Sequence, residues 1–413
     1  TVAADTAEKL DYLLSNGNSF DMLTLTVNGA TASLTDLTSL AGKTAVATNA
    51  IKVDAKEITG TGAGLATLYT NAGGKFAALG NENVKVTDTA GSLANINTIL
   101  DKTTGVVTAT VATNTAAALN AGLTKATSKD ALSLTVSAGT ANASDLLGLD
   151  DKTSVKVDAN AVTSISGTAA EVKKLVAAKG VELANDVGLT VSGIPSTADL
   201  STILKATNGV VTATVAADTA AALNKALKDA NSSDALSLTV NGTTANASDL
   251  LTLTDKTTVK IILTVSAITG NIADVTGVFV TKASDFSATL TSRDTTISGT
   301  VDADDVDDVA NVTSGIVTAT VAADTAATLA TALTDNTVNA YKLTVSGASA
   351  NADDLITIDS KTSIAVDASA ITNIAGLAAD GGATAVNNVY VAAKNGTING
   401  LGNETVTFDT TTV

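Results

Sequence analysis

The sequence predicts an α/β fold, specifically an elongated parallel strand-and-helix solenoid of four tandem repeats. One phrase returns about every 105 residues along the chain. Hydrophobic residues make up 45% of the sequence but aromatic residues only 2%, so the core must consist of Val, Leu, Ile and Ala. Such small side chains suit thin, stacked layers. The solenoid is predicted to be leucine-rich-like or a β-solenoid, and a right-handed β-helix is the alternative arrangement.

The repeated phrase defines four predicted modules. It reads Gly-Val-Val-Thr-Ala-Thr-Val at residues 105–111 and 209–215, and it recurs with Ile316 at residues 315–321. An Ala-rich, helix-like run follows each copy, and residues 5–10 open the chain in the same register. We therefore predict modules at residues 1–104, 105–208, 209–314 and 315–413, of which the third is the most divergent.

The first module begins inside the repeated phrase. Thr1 aligns with Thr214, so the Gly-Val-Val-Thr-Ala portion of the first strand is missing. We expect either that the sequence is a segment of something longer or that a neighbouring subunit's strand completes the module. A mass measurement on the intact source protein would separate these two explanations.

Within one module, short strands alternate with helices. Residues 132–136 alternate apolar and polar side chains, which is typical of a half-buried strand, and residues 155–158 and 188–192 behave alike. Residues 163–167 are also strand-like, a helix is predicted over residues 169–178, and residues 181–183 are a strand whose direction the sequence leaves open. Leucines recur three or four residues apart in the helical segments, so each helix has one narrow apolar face.

Helix starts are marked by a polar residue followed three positions later by an acidic one, a pattern that resembles a capping box. The five pairs that show it are Asn142 with Asp145, Asn246 with Asp249, Ser33 with Asp36, Thr168 with Glu171, and Ser196 with Asp199.

Two glycine-containing motifs resemble nucleotide-binding loops without matching them. Residues 37–44 end in Gly-Lys-Thr, but Leu37 stands where a phosphate-binding loop requires glycine. The other modules carry Asp-Lys-Thr or Ser-Lys-Thr at this place, which favours a helix-to-strand turn. The Gly-rich stretch at residues 60–64 lacks the third glycine of a dinucleotide fingerprint, so we interpret it as a flexible loop.

The densest charge cluster predicts a candidate metal site. Residues 302–308 read Asp-Ala-Asp-Asp-Val-Asp-Asp. On a helix, Asp304 and Asp308 would share one face, and carboxylate oxygens at this density are ligands that Ca²⁺ prefers. We therefore name Asp302, Asp304, Asp305 and Asp308 as candidate calcium ligands. The alternative is an acidic, solvated helix start.

Composition excludes several functions. The net charge of −17 repels phosphate backbones and anionic lipids, so we expect neither nucleic-acid binding nor peripheral membrane binding. No apolar run is long enough for membrane insertion. The absence of Cys and His removes thiolate metal sites and the usual hydrolytic triads, and we predict that the protein is not an enzyme and has no certain cofactor.

Two alternative functions remain open at this point. A solenoid that binds or cleaves polysaccharides would use paired carboxylates, although few aromatic rings are available to stack on sugars. Ice binding is indicated by the Thr-x-Thr pairs of the repeated phrase, such as Thr108 with Thr110. We expect the charged residues Lys156 and Asp158 on neighbouring strands to interrupt this row of threonines.

The phrase at residues 211–221, Val-Thr-Ala-Thr-Val-Ala-Ala-Asp-Thr-Ala-Ala, and the Leu-Thr-Val-Ser-Gly strands at 189–193 and 343–347 resemble the giant repetitive cell-surface proteins of marine cyanobacteria and related secreted adhesins. The resemblance covers the whole chain. It implies fibres, sheaths or layers outside the outer membrane, often with Ca²⁺. We therefore expect an extracellular fibre, S-layer-like layer or adhesin stalk at the cell surface, and we predict self-association and surface glycans as partners. The chain departs from many calcium-dependent secreted proteins because it lacks Gly-Gly-x-Gly-x-Asp repeats.

Overall fold

The computed structural model describes residues 2–71, 74–288, 290–376 and 382–408. The described chain is α/β, with helices and parallel sheets throughout, which confirms the predicted fold class. It divides into two compact units. Unit 1 comprises Thr1–Gly193 and Thr202–Thr212, and unit 2 comprises Ile194–Ser201 and Ala213–Val413.

The described residues form fifteen α-helices, most of them two or three turns long. Their bounds are α1 Ala7–Leu13, α2 Leu34–Gly42, α3 Gly62–Thr70, α4 Leu93–Lys102, α5 Ala116–Gly122, α6 Ala143–Asp150, α7 Ala169–Ala177, α8 Thr197–Leu204, α9 Ala220–Ala226, α10 Ala247–Thr254, α11 Ile272–Thr276, α12 Ala303–Ala310, α13 Ala326–Ala332, α14 Ala352–Ser360 and α15 Gly382–Asn395. A π-helical turn, Gly277–Thr281, follows α11. It lies in the predicted third module, in the region where that module is least like the others.

Unit 1 contains four sheets. Its strands are β1 Leu25–Val27, β2 Thr31–Ser33, β3 Ile51–Val53, β4 Glu57–Gly60, β5 Phe76–Ala77, β6 Asn83–Val86, β7 Val107–Thr110, β8 Ala131–Ser133, β9 Gly139–Asn142, β10 Val157–Ala159, β11 Val162–Thr168, β12 Val181–Leu183, β13 Gly188–Ser192 and the first two residues of β14 Val211–Thr214. The strand orders are β1-β3-β5, β2-β4-β6-β7-β8, β9-β11-β13-β14 and β10-β12.

Unit 2 also consists of helices and parallel sheets. Its strands are β15 Ala235–Ser237, β16 Thr239–Val240, β17 Thr244–Asn246, β18 Ile262–Leu263, β19 Ala267–Asn271, β20 Asp294–Val301, β21 Val317–Val321, β22 Ala340–Lys342, β23 Ser349–Asn351, β24 Val366–Asp367, β25 Asn373–Gly376, β26 Ile398–Asn399 and β27 Thr405–Phe408. Four of its sheets have the strand orders β16-β18, β17-β19-β20-β21-β22, β23-β25-β27 and β24-β26.

Neighbouring strands run parallel and are joined by a helical crossover, because parallel strands cannot be linked by a tight hairpin. For example, β4 pairs with β6 in the register Ile58↔Val84, and α3 lies between them in sequence. The direction of β12, which the sequence left open, is parallel to β10. The core is aliphatic: Leu119, Leu146 and Leu223 on the narrow helix faces are buried, as predicted.

Several predicted element boundaries need correction. The strand predicted at residues 155–158 begins only at Val157, because the backbone bends at Ser154 and Val155, where the N–H of Ser154 bonds to the carbonyl of Asp130. By contrast, β13 has the predicted bounds 188–192, and its side chains alternate between buried and exposed as expected.

The flexible loop predicted at residues 60–64 is wrong. Gly60 ends β4, Thr61 caps α3, and Gly62 and Gly64 lie within the first turn of that helix. A Cβ atom on Gly64 would lie 2.3 Å from Cδ2 of Leu34, and one on Gly60 would lie 2.6 Å from its Cβ. The glycines therefore allow close packing against Leu34.

The predicted helix starts are all observed, but their hydrogen bonds differ. Thr168 and Glu171 form a complete capping box. The hydroxyls of Ser33 and Ser196 accept the predicted N–H three residues on, whereas Asn246 accepts from Ser248 instead. Asn142 makes no cap bond, because its side-chain oxygen accepts from Ser166 Oγ and its Nδ2 donates to Asp145.

Candidate functional site

The three copies of the repeated phrase form β7, β14 and β21, which we call the junction strands because each opens a predicted module. Each pairs in parallel with the last strand of the module before it, in the registers Val84↔Val107, Leu189↔Val211 and Thr295↔Val317. The inward valines of the junction strands are buried, whereas the threonines beside them are exposed. All three predicted module boundaries therefore lie within continuous sheets.

The first glycine of each repeated phrase lies just before the junction strand. It packs against the backbone just before the neighbouring strand of the sheet. A Cβ atom on Gly105 would lie 2.2 Å from the carbonyl oxygen of Glu82. A Cβ atom on Gly209 would lie equally close to the carbonyl oxygen of Asp186, and one on Gly315 equally close to the carbonyl oxygen of Arg293. Real Cβ atoms do not approach this closely. The glycine is therefore required by the contact between successive strands.

A threonine two residues before each of these glycines bonds across the same junction. Its hydroxyl donates to a carbonyl of the preceding segment, at 2.7 Å for Thr103 to Glu82 and 2.6 Å for Thr207 to Val187. Each hydroxyl also accepts the N–H of its glycine. Thr313 repeats both contacts in unit 2. Buried backbone groups at the junction are thereby satisfied.

Side chains from the following segment complete two of the junctions. Asp130 Oδ1 accepts the N–H of Val107 at 2.9 Å, and Asn339 Oδ1 accepts that of Val317 at 2.7 Å. Both side chains are buried. The first and third junction strands, β7 and β21, are thus held on both sides by hydrogen bonds.

The Lys-Thr turn that resembled a phosphate-binding loop is a second repeated contact. Gly42 ends α2 and Lys43 is its C-cap, so the predicted helix-to-strand turn is confirmed. The hydroxyl of Thr153 donates to the carbonyl of Leu132 at 2.7 Å and accepts the N–H of the same residue at 3.0 Å. Thr44 and Thr257 repeat both bonds with Leu23 and Leu236, and Thr362 donates to Tyr341.

The lysine of this turn follows one helix and bonds to the C-terminal end of the helix before that one. Lys152 Nζ donates to the carbonyl of Leu123 at 2.9 Å, and Lys256 Nζ to that of Leu227 at 3.0 Å. Both carbonyls belong to helix C-caps, where a cation is favourable. The Lys-Thr dipeptide therefore links neighbouring strand–helix segments and does not form a phosphate site.

We expect Thr153→Val to lower the free energy of unfolding by roughly 2 kcal/mol, because the buried backbone N–H and C=O of Leu132 lose their partner while the volume stays nearly constant. Urea unfolding monitored by circular dichroism would measure the change. Thr190→Val, on an exposed position of β13, is the matched control and should change stability by less than about 0.5 kcal/mol. Equal effects of the two substitutions would contradict the role assigned to Thr153.

The predicted calcium ligands lie at the start of α12. Asp302 is its N-cap, without a side-chain cap bond, and Asp304 and Asp305 occupy the first turn. These three residues and Asp308 are exposed. Within the described ranges, no three carboxylate, imidazole or thiol side chains are grouped so that they could hold a metal ion.

Calorimetric titration with Ca²⁺ is expected to give no heat of binding, because these four carboxylates supply no closed set of oxygen ligands and calcium prefers six or more. A saturable heat signal that Asp304→Asn together with Asp308→Asn removes would restore the calcium site predicted from the sequence. The double variant is a suitable control because both side chains are exposed.

Sequence reasoning missed Asp307, the one acid of this cluster that is buried. Its Oδ1 accepts the backbone N–H groups of Thr334 and Asp335 at 2.7 and 2.8 Å. Its Oδ2 accepts from Thr334 Oγ1 at 2.6 Å and from Asn311 Nδ2 at 2.7 Å. Asp307 lies four residues after Ala303 and three before Ala310, so all three share one helix face. This spacing could have indicated that Asp307 is buried.

A buried polar cluster continues from Asp307. Asp335 Oδ1 accepts from Asn339 Nδ2 at 2.9 Å and from the N–H of Thr337 at 3.1 Å. Burial raises the pKa of the Tyr341 phenol, and the charges of Asp335 and Asp307 raise it further. The phenol therefore remains a hydrogen-bond donor. The cluster connects α12 with the junction through Asn339.

The threonines of the junction strands lie in rows of hydroxyls on the outer sheet face. Thr212 is in register with Thr190, which is in register with Ser166. The prediction that Lys156 and Asp158 interrupt these rows is wrong. Asp158 pairs instead with Glu182, in the separate sheet β10-β12. Two other charged residues do lie beside junction threonines in the described sheets: Lys85, next to Thr108, and Lys342, next to Thr320.

A cavity of about 650 Å³ lies between α2 and α3. Leu34, Leu68 and Phe76 give it a largely apolar lining, and Lys75 borders it. Lys75 Nζ already donates to the carbonyls of Ala41 and Thr44 at 2.5 and 2.8 Å. The described residues that line this cavity include no carboxylate, so it does not provide the acid pair that polysaccharide cleavage requires.

No helix among the described residues has both the length and the apolar character of a membrane span. No protein-family model matches the sequence, and no curated protein matches it.

Proposed function

We propose that this protein is an extracellular structural repeat protein. In this proposal, its four modules stack as a solenoid, and the assembled chain serves as a cell-surface fibre, layer or adhesin stalk. Self-association is the predicted partnership, and surface glycans are a further class of partner.

The observation that carries the proposal is the repeated set of junction contacts. A parallel strand pair, a glycine against a backbone carbonyl and a threonine bonded across the boundary recur at residues 105, 209 and 315. A chain of independent domains has no need for its boundaries to lie inside sheets. In a solenoid, by contrast, each module must bury its flank against the next.

The energetics of such an array come from neighbours. Burying one valine or leucine contributes about 1.5–3 kcal/mol, and each junction strand brings inward valines against the preceding strand. Stability is then roughly a sum over modules and interfaces, and length increases by adding copies. This suits a scaffold, whose task is to span distance and carry load.

The alternative of a polysaccharide-cleaving enzyme gains no support from the described residues, because the cavity described above lacks paired carboxylates and contains Phe76 as its one aromatic ring. Glycan binding by an exposed face stays compatible with a scaffold. The acidic surface, at net charge −17, also favours solubility and repulsion between unrelated faces.

Immunogold labelling of intact source cells, with antibodies raised against the 413-residue chain, tests the proposal. We expect gold particles on the outside of unpermeabilised cells, arranged along fibres or over a surface layer. Label that appears only after permeabilisation, inside the cell, would contradict an extracellular role. Preimmune serum and cells that lack the protein are the controls.

A further inference from the structure

Strand β27 has an open edge. It pairs in parallel with β25 in the register Ile374↔Val406 and Gly376↔Phe408. Among the described residues, no strand pairs with its other side. An open strand edge presents unpaired N–H and C=O groups and can accept another strand.

The strands β6, β13 and β20 occupy the same place in their sheets as β27 does in its own. Val84, Leu189 and Thr295 lie opposite Ile58, Ile165 and Ile268, as Val406 lies opposite Ile374. Those three residues are 1%, 1% and 0% exposed beneath a junction strand, whereas Val406 is 36% exposed. Phe408 is 50% exposed, while its equivalents Val86, Val191 and Ile297 are 4–6% exposed. At β27, the apolar positions are present and their cover is missing from the described residues.

The backbone supports the same equivalence. The N–H groups of Val84, Leu189 and Thr295 each donate to the carbonyl of the residue just before the junction strand, at 2.9, 2.9 and 2.8 Å. The N–H of Thr405 bonds to Thr372 on the β25 side, so the next N–H, that of Val406, faces the open edge. This is the group that donates across the other three junctions.

The turn before β27 has the same sequence as the turn before β6. Gly-Asn-Glu at residues 402–404 repeats residues 80–82, which precede β6. In both turns the glutamate accepts the glycine N–H, at 2.7 and 2.8 Å in Glu404 and 3.1 and 3.0 Å in Glu82. A tyrosine hydroxyl, of Tyr390 or Tyr69, bonds to each glutamate. The carbonyl of Glu82 is the group that receives Thr103 and lies against Gly105.

We propose that the outer edge of β27 is a docking site for a parallel strand of the sequence Thr-x-Gly-(Val/Ile)-Val-Thr-Ala-Thr-Val, which is a further copy of the repeated phrase. The incoming glycine lies against the backbone of Glu404, the threonine hydroxyl bonds there, and the inward valines cover Val406 and Phe408. This inference rests on the proposed function, because it names the surface to which a further repeat binds.

A labelled synthetic peptide of residues 92–113, which carries the sequence of α4 and the first junction strand, tests the proposal. Fluorescence anisotropy with the 413-residue chain should show saturable binding. The peptide with Gly105→Val should bind at least tenfold more weakly, because its side chain would meet the backbone of Glu404. Val406→Asp in the chain should weaken binding by at least tenfold, whereas Phe408→Val, which restores the residue found at Val86, should retain it.

Hydrogen exchange of the unaltered chain provides a readout that needs no variant. Adding the peptide should slow exchange of the Val406 amide and leave the amides of β1 unchanged. Absence of binding, or binding that persists in the Val406→Asp chain, would overturn the proposal. The stacking of modules within the chain is measured separately, by the cross-link described at the end of the Discussion, so failure of the two ideas can be distinguished.

Discussion

Replacing Asp307 with alanine should lower the free energy of unfolding of unit 2 by roughly 3 kcal/mol, because several buried donors lose their acceptor at once. These donors are the backbone N–H groups of Thr334 and Asp335 and the side chains of Thr334 and Asn311. Urea unfolding, followed by hydrogen exchange at Thr334 and Asp335, would measure the global and local effects.

The neighbouring residue is the matched control. Asp308 lies on the same helix but is exposed, so Asp308→Ala should change stability by less than about 0.5 kcal/mol. Asp307→Asn keeps an oxygen for the two backbone N–H groups and should lose about half as much as the alanine variant. If Asp307→Ala and Asp308→Ala were equally mild, the linking role of Asp307 would be wrong.

Replacing Gly209 with alanine is expected to destabilise unit 1 by about 2–3 kcal/mol, at the upper end of the cost of overpacking. The added methyl would lie 2.2 Å from the carbonyl oxygen of Asp186 and 2.6 Å from that of Val187, and neither backbone group can rotate away. Separation of β14 from β13 would relieve the clash. Hydrogen exchange at Leu189, whose N–H bonds to Val210, would report that separation directly.

Gly42→Ala controls for the loss of glycine itself. A Cβ at Gly42 has no neighbour within 4 Å, and the residue ends α2. This substitution should be neutral or stabilising by up to about 1 kcal/mol, because alanine favours the helix. If Gly209→Ala were equally neutral, the sheet would not be continuous across the second module boundary.

The sequence was sufficient to predict the periodic part of the molecule. Alternation in residues 188–192, the leucine faces of the helices and the Lys-Thr turn all follow local rules, and four module copies made each pattern easy to compare. Comparison with the other modules also rejected the phosphate-binding loop, since glycine at position 42 is not repeated.

Contacts between distant residues could not be read from local patterns. Gly60 and Gly64 resemble a flexible loop until the position of Leu34 is known, and Asp158 resembles a neighbour of the junction threonines until the sheets are assigned. The acidic cluster shows the same limit of local patterns. Its charge density drew attention to Asp302, Asp304, Asp305 and Asp308, whereas the side chain with a defined structural role is Asp307.

The most direct test of stacked modules is a cross-link between Thr190 in β13 and Thr212 in β14, which are in register and exposed on the same face. Their Cα atoms should be about 4.8 Å apart, within the roughly 4.4–6.8 Å that a disulfide allows. The natural chain has no cysteine, so Thr190→Cys with Thr212→Cys gives one clean pair. In the control, Ser166→Cys with Thr212→Cys, the two residues lie two strands apart, at about 9.6 Å.

Mild oxidation should form an intrachain disulfide in the first variant and none in the control, as judged by mass and by maleimide labelling. Free thiols in both variants would show that the modules are separate domains.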